Sequence, residues 1–404
     1  MEKLLATQHT ILTQFKKRPY IKRSCYAQFR LGNLVNGIIG QRGVGKTTFL
    51  LKTALEQGAA RGRALYVSAD DLYFLDNKLI DLVDELYKLT DIRLLCIDEI
   101  HKYSNWNHEL KNIADVYPSI KILFSGSSMI DLIDSKYDLS RRVTLYPLHG
   151  LSFREYLQFD RQLEFPVVTT EDLLQNHQEI ASQLSLAGIL KYFNRYLSIG
   201  YYPFFTYLAG EYEIFQAIEN IIQKTIYEDI ATLHRVKSQS LATIEKIFKY
   251  IVNSTPGELN ANKLASILGT SFDTVSLFLD FLHKSGLVRF LHNKGTGKKS
   301  LKNPTKIYPD NTNCMHAYYL TKSDINMLGK LRETFLINQL QNTNHQVYYS
   351  NIGDFQVDDF YIEVGGKNKT GKQLKNSSNG FIAADNIEIG FNRKIPLYLF
   401  GFLY

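Results

Sequence analysis

The chain has little cysteine and little tryptophan: three Cys and one Trp in 404 residues. Cys25, Cys96 and Cys314 lie far apart and form no CxxC or other metal-ligand spacing, which excludes a structural zinc site and fits a reducing, cytoplasmic setting. No uncharged apolar run reaches the length of a membrane span. Charges at Glu2, Lys3, Lys16, Lys17 and Arg18 break up the N-terminal segment, so no signal peptide and no membrane partner is expected. Internal repeats and low-complexity tracts are lacking too. Charge of one sign is in small excess, 47 Lys and Arg against 40 Asp and Glu, and the resulting +7 permits nucleic acid as a partner without arguing for it. Its local runs, Lys16-Lys17-Arg18 with Lys22-Arg23 and Lys298-Lys299 with Lys302, are expected to be solvated surface.

What is abundant is core material. Hydrophobic residues make up 45% of the chain, with 26 Tyr and 24 Phe, so it is a packed globular protein long enough for several domains. An amphipathic helix from about Leu4 to Lys17 is expected to pack on the first domain. Apolar strands follow at Leu34 to Ile39, Ala64 to Ser68, Arg93 to Ile97, Lys121 to Ser125 and Val143 to Tyr146. Amphipathic helices alternate with the first four, which predicts a mainly parallel sheet covered on both faces.

The first strand runs into Gly40-Gln41-Arg42-Gly43-Val44-Gly45-Lys46-Thr47-Thr48, and a helix follows from Lys46. This is a P-loop in its required strand-to-helix context. Backbone N–H groups of Gly40, Gly43, Val44, Gly45, Lys46, Thr47 and Thr48 would close around the phosphates of ATP, with the helix N-terminus adding partial positive charge. Lys46 reaches the β and γ phosphates, and the Thr47 hydroxyl ligates Mg²⁺. Leu94 to Ile97 then carries Asp98 to the end of a buried strand, where it holds the water shell of Mg²⁺, and Glu99 is placed to activate a water against the γ-phosphate. Phe124-Ser125-Gly126-Ser127-Ser128 ends the next strand. There Ser125 is the better candidate for contacting the attacking water or the γ-phosphate, since Ser127 and Ser128 can simply cap a helix. Arg141 and Arg142 follow, either as a transition-state guanidinium or as ordinary ion-pair residues. Asp70-Asp71 reads as an outer-shell contact or a helix cap, and His101 as a partner of Glu99 or helix surface.

Beyond Pro147 the pattern is helical to about Leu233. Helices at Leu241 to Asn253, Asn262 to Leu268 and Ser271 to Lys284, a strand at Gly286 to Leu291 and a Lys- and Gly-rich loop to Asn303 then form the order of a winged helix. Its second reading helix, Ser271 to Leu282, has no Lys or Arg, so Ser271, Asp273 and Thr274 are weak candidates for DNA contact. The last segment reads as a small α/β domain. Tyr201-Tyr202-Pro203-Phe204-Phe205 is expected to pack around a turn rather than to stack on bases.

Taken with Cys96-Ile97-Asp98-Glu99-Ile100-His101, Tyr146-Pro147-Leu148 and Ser152-Phe153-Arg154-Glu155-Tyr156, the P-loop resembles that of prokaryotic AAA-type ATPases carrying a winged helix and a C-terminal domain related to restriction endonucleases. Gly329-Lys330-Leu331-Arg332-Glu333 and Phe360 to Lys367 are similar to that family's C-terminal signatures. The resemblance implies a multidomain chain: an α/β P-loop NTPase core with an AAA-like parallel sheet at 1–150, a helical lid at 151–235, a winged helix at 236–303 and a degenerate endonuclease-like α/β domain at 304–404. It also implies a metal site at Glu333, Asp358 or Asp359, Glu363 and Lys367. Glu363 and Lys367 stand four residues apart across two glycines, where alternation in a strand would need two, so that site is read as a relic.

The functional expectation is Mg-dependent ATP hydrolysis driving a conformational switch on DNA or on a protein partner. The alternatives are an ATP-gated metal-dependent nuclease and a non-hydrolysing nucleotide-binding scaffold. With no motor pore loop in view, a monomer or dimer is favoured over a processive ring.

Overall fold

The computed structural model describes residues 1–126, 142–184, 186–234, 236–254, 261–295, 304–318, 325–343, 345–375 and 377–404. Arg141, Ser127, Ser128, Lys298, Lys299 and Lys302 lie outside the described residues. The chain divides into two compact units, Met1–His149 and Gly150–Tyr404.

The first unit is built on five parallel strands: β1 (Val35–Ile39), β2 (Ala64–Ser68), β3 (Leu94–Asp98), β4 (Lys121–Gly126) and β5 (Val143–Pro147), in the order β2-β3-β4-β1-β5. Every residue of β1 and β3 is buried, as expected for strands covered on both faces. Helix α1 (Glu2–Lys16) buries Leu4, Gln8 and Leu12 on one stripe. Gln8 does more than pack: its Oε1 accepts the Tyr66 N–H of β2, an edge strand, and so covers backbone that would otherwise be open to pairing. Helix α2 (Lys46–Glu56) follows the P-loop, and α3 (Leu79–Leu89) and α4 (Trp106–Val116) cover the sheet. In α3 the buried set is Leu79, Leu82, Val83 and Leu86, a helical i, i+3, i+4, i+7 stripe worth about 1.5–3 kcal/mol of burial per side chain.

In the second unit, helices α5 (Phe153–Arg161), α6 (Thr170–Leu184), α7 (Ile189–Ile199) and α8 (Glu211–Lys224) come first. Ser152 and Glu155 form a capping box on α5, and the Ser152 hydroxyl (2.8 Å) and Arg154 Nε (3.0 Å) both donate to the Tyr404 backbone oxygen. Tyr201, Tyr202, Phe204 and Phe205 are all buried around the turn at Pro203. Then come α9 (Ser238–Asn253), α10 (Ala261–Leu268) and α11 (Phe272–Lys284), with α10 and α11 bent by 107° at the turn through Gly269. Strand β6 (Val288–Leu291) pairs antiparallel with β7 (Lys306–Pro309), so the ribbon crosses the boundary expected at 303, which would have separated its strands. After α12 (Thr312–Tyr318) and α13 (Ile325–Gln341), β8 (Val347–Tyr349), β9 (Phe355–Val357) and β10 (Phe360–Gly365) form an antiparallel meander. Strands β11 (Gly380–Ala384) and β12 (Lys394–Pro396) extend it in parallel. Among the described residues, no single helix is long and apolar enough to cross a membrane.

One buried cation ties two of these helices together. Lys330 of α13 is 1% exposed, and its ammonium donates to the carbonyls of Ile251, Val252 (2.8 Å) and Ser254 (2.6 Å) at the end of α9. A cation at a helix C-terminus satisfies carbonyls that have no helical partner, although burial pulls the Lys330 pKa down to about 7.

Candidate functional site

Strand β1 delivers the chain to a loop that only small residues can form. A Cβ on Gly40 would stand 2.1 Å from the Leu148 carbonyl oxygen, so the loop lies against backbone there. Gly45, at φ 103°, turns the chain left-handed directly into α2. Lys46 is the first residue of that helix. It is 4% exposed, and its ammonium bends back to the carbonyls of Gly40 (3.0 Å) and Gln41 (2.8 Å), while Thr47 and Thr48 are exposed on the first turn. The result is a helix N-terminus with open N–H groups, a lysine charge folded over the loop and a free-standing hydroxyl: a cup for an anion of phosphate size.

Arg23 fastens the base of this cup. It is buried, and its Nη1 donates to Val44 O (3.1 Å) and His149 O (2.9 Å). The basic-run reading placed Arg23 on solvated surface; its partners are backbone carbonyls whose position no sequence pattern reveals.

The acidic side of the site stands at the end of β3. Asp98 is 4% exposed; Tyr66 OH donates to its Oδ2 (2.9 Å), and the Ser125 hydroxyl donates to its Oδ1. Both partners come from the strands that flank β3: Ser125 of β4 follows the pair Ile97–Phe124 and so stands level with Asp98, while Tyr66 of β2 is level with Cys96 and reaches Asp98 from two residues back. Burial, and then the Asp98 charge, push the Tyr66 phenol far up, so it remains a donor. Ser125 also accepts the Glu99 N–H (3.0 Å). Its one proton is therefore spent on Asp98, and its oxygen fixes the backbone of the next residue. Sequence reasoning assigned Ser125 to the γ-phosphate or the attacking water; in the structure its hydroxyl links Asp98 to the backbone of Glu99.

Glu99 itself has φ 53° and ψ 44°, a left-handed conformation that costs a non-glycine residue about 1–2 kcal/mol. It turns the side chain out of the strand line towards His101, whose side chain is 4% exposed and whose Nε2 lies 3.5 Å from Glu99 Oε2. Asp71 Oδ1 accepts the Tyr73 N–H (2.9 Å), and Asp70 takes the Ser68 hydroxyl, so this pair acts in local caps.

Arg142 is not brought to the phosphate loop. It precedes Val143, which is level with Val35, so roughly 20 Å of strand separate it from the level of Gly40. It pairs there with Asp115 (2.8 Å), on the opposite edge of the sheet. In a parallel sheet a residue ahead of a strand always sits at that edge, a signal the sequence did contain.

The C-terminal carboxylates are arranged differently from the expected set. Asp358 and Asp359 form the turn between β9 and β10, with Asp358 facing His345 Nδ1 (2.6 Å) and accepting the Gln346 N–H (3.3 Å). Asp354 stands where Asp358 was expected: its Oδ2 accepts the Val364 N–H (2.7 Å), and its charge adds to the burial that raises the pKa of Glu333. Glu333 accepts from Tyr308 OH (2.6 Å) and lies 3.4 Å from Lys306 Nζ. Glu363 is buried, but its partner is Lys369 (3.0 Å to Oε1) rather than Lys367. A Cβ on Gly365 would meet the Lys369 side chain at 2.7 Å, so this lysine fills the space the glycine leaves. Lys367 is exposed and, among the described residues, forms no ion pair. Among the described residues no three or more His, Cys, Asp or Glu side chains converge closely enough to hold a metal ion. On α11, Ser271 Oγ accepts the Thr274 N–H (3.1 Å) as the helix cap, and Val275, Phe278, Leu279 and Leu282 are core.

Comparison with known proteins places the first unit. Residues 33–157 match a family described as an AAA domain, and residues 190–317 match a domain of unknown function. An uncharacterized protein of Methanocaldococcus jannaschii, MJ1637, is 27% identical over 389 residues, covering 89% of this chain and 81% of that protein. A second from the same organism, MJ1544, is 22% identical over 373 residues, covering 88% and 77%. Among solved structures, AMPPCP-bound DnaA from Aquifex aeolicus matches 66% of this chain and 90% of its own at 16% identity, with a TM-score of 0.27, too low to carry an argument. Residues 33–157 thus resemble an AAA-type P-loop domain, in agreement with the parallel sheet and the strand-to-helix glycine loop.

Proposed function

We propose that the first unit hydrolyses ATP with Mg²⁺. The observation that carries this reading is the placement of an open P-loop after β1 and of a buried Asp98 and a backbone-turned Glu99 after β3, at the same end of one parallel sheet with only β4 between them. Lys46 would leave the Gly40 and Gln41 carbonyls for the β and γ phosphates, and the loop N–H groups would take the remaining oxygens. The exposed Thr47 hydroxyl and, through water, the Asp98 carboxylate fit Mg²⁺; each Asp98 oxygen keeps a lone pair beyond the bond it accepts. When bound, the metal supplies charge neutralisation at the phosphates. Glu99 accepts a proton from the water whose oxygen attacks the γ-phosphorus; the bond to the β–γ bridging oxygen breaks, leaving ADP and phosphate. His101 holds the Glu99 carboxylate in reach of that water.

The second unit is read as the output of this cycle. Its three helices and antiparallel ribbon support a winged helix, and the meander followed by parallel strands supports an endonuclease-like fold. The Glu363–Lys369 pair leaves the latter poorly suited to cutting. Nucleotide state would reposition these elements on DNA or on a protein partner, with the chain acting as a monomer or dimer.

The test combines fluorescent ATP-analogue binding with phosphate release. Wild-type protein should bind and release phosphate only with Mg²⁺, and Lys46→Ala should lose binding. Undiminished binding by Lys46→Ala would remove the P-loop from the account.

A further inference from the structure

The second unit also carries an assembled cationic groove. Two cavities of about 640 and 780 Å³ share Lys369: the first is lined by Arg332, Gly366, Lys367, Asn368 and Asn386, the second by Thr370, Phe391, Asn392, Arg393 and Lys394. Between Gly366 and Lys394 the sequence has six Lys or Arg and two carboxylates, Asp385 and Glu388, while the whole chain is only mildly basic. Only part of this charge is cancelled in place. Arg332 gives Nε to Asp385 (2.8 Å), and its terminal nitrogens lie beside the open Cα of Gly366. Lys369 is spent on Glu363, but among the described residues Lys367, Arg393 and Lys394 have no carboxylate partner; Arg393 donates to the carbonyl of Ser377 (2.9 Å) and Lys394 to that of Lys367 (3.1 Å).

At one end of the groove stands an aromatic ring in water. Phe391 is 71% exposed, although its backbone is held by hydrogen bonds. Phe391 and Lys394 exchange hydrogen bonds (3.0 and 2.9 Å), and α6 holds the turn from behind, with Gln178 donating to Gly390 O (3.0 Å) and His177 Nε2 bonded to Asn392 O (2.8 Å). A rigid turn presenting a bare ring beside unpaired cations suits a ligand with anionic groups and flat apolar faces. Single-stranded nucleic acid has that composition: its phosphates would track the cations and a base would stack on Phe391. In a duplex the base faces are covered by their neighbours, so the ring would have nothing to meet.

We propose that this groove binds single-stranded nucleic acid. The inference deepens the output reading above by naming its partner, but it needs no nucleotide, so the test omits ATP and Mg²⁺ and stands whether or not the first unit hydrolyses. Binding of the full chain to a fluorescein-labelled oligothymidylate of about twenty nucleotides is followed by anisotropy in EDTA, from about 50 to 200 mM salt. Wild-type affinity should fall with salt. Lys367→Gln with Arg393→Gln should weaken binding at least about tenfold and reduce the log–log salt slope by about 1.4, at about 0.7 per cation lost. Phe391→Ala should weaken binding roughly five- to a hundredfold with the slope unchanged. Lys16→Gln with Lys17→Gln, which removes equal exposed charge from the first unit, should change neither, and thermal melts should show all variants folded. No binding at low salt, an equal loss in the Lys16/Lys17 variant, an inert Phe391→Ala, or tighter binding to the matching duplex would each overturn the proposal.

Discussion

Replacing Ser125 by alanine tests how the two carboxylates are held. The hydroxyl is fully buried, donates to Asp98 and accepts the Glu99 N–H. Its removal deletes a hydrogen bond to a charged group, about 1.5–3 kcal/mol, and leaves a part-buried N–H without its partner, at most about 1–3 kcal/mol. A combined loss of about 3 kcal/mol would lower the melting transition of a unit this size by on the order of 10 °C. That transition can be identified because a bound ATP analogue should raise it and not the other. Turnover should fall by roughly ten- to a hundredfold, since Glu99 loses the bond that sets its left-handed backbone, while KM for ATP changes less. Calorimetry and steady-state phosphate release read the two effects separately. A melting point within about 2 °C of wild type, with turnover within about twofold, would refute the positioning role of Ser125.

Two further outcomes follow from other sites. Glu333→Gln should stabilise the second unit in a pH-dependent way. Burial raises the Glu333 carboxyl, with the Asp354 charge adding to it against Lys306, so its favourable contribution is complete below the ordinary carboxylate range and is lost as pH rises through its folded value. The glutamine mimics the protonated form; urea midpoints of variant and wild type should converge near pH 4 and separate in the variant's favour near pH 8, and a pH-independent difference would contradict the burial cause. Gly40→Ala should abolish ATP-analogue binding and lower the first melting transition, because its Cβ would sit 2.1 Å from the Leu148 carbonyl oxygen; wild-type binding would show that the loop is not pinned there.

How much of this could be read from the residues depended on how local the cause was. The P-loop and Asp98 were legible because a glycine-rich turn between an apolar strand and a helix has few other uses, and β1 to β5 lie within a residue or two of their expected bounds. The helix over α1 was legible from its stripe, but not that Gln8 would cap an edge strand. Arg23 and Tyr66 were invisible because their partners are brought near only by the sheet order. Asp358 or Asp359 was the candidate although closeness to Glu363 leaves little room for a hairpin, and Asp354 was not considered. The room is absent because Asp358 and Asp359 are the turn itself, and the facing carboxylate lies at the start of the preceding strand. Lys367 was the candidate although its spacing from Glu363 does not fit strand alternation, and Lys369 was not considered; the chain turns after Gly365, and beyond a turn strand alternation no longer says which side chain returns.

The central claim is that Glu99 takes the proton from the attacking water. Single-turnover hydrolysis of radiolabelled ATP by Glu99→Gln with Mg²⁺ tests it most directly, since binding and chemistry are separated. The account predicts ATP bound as tightly as by wild type and cleaved at least a hundredfold more slowly, on the order of the loss expected for a general base. Cleavage at the wild-type rate would contradict it.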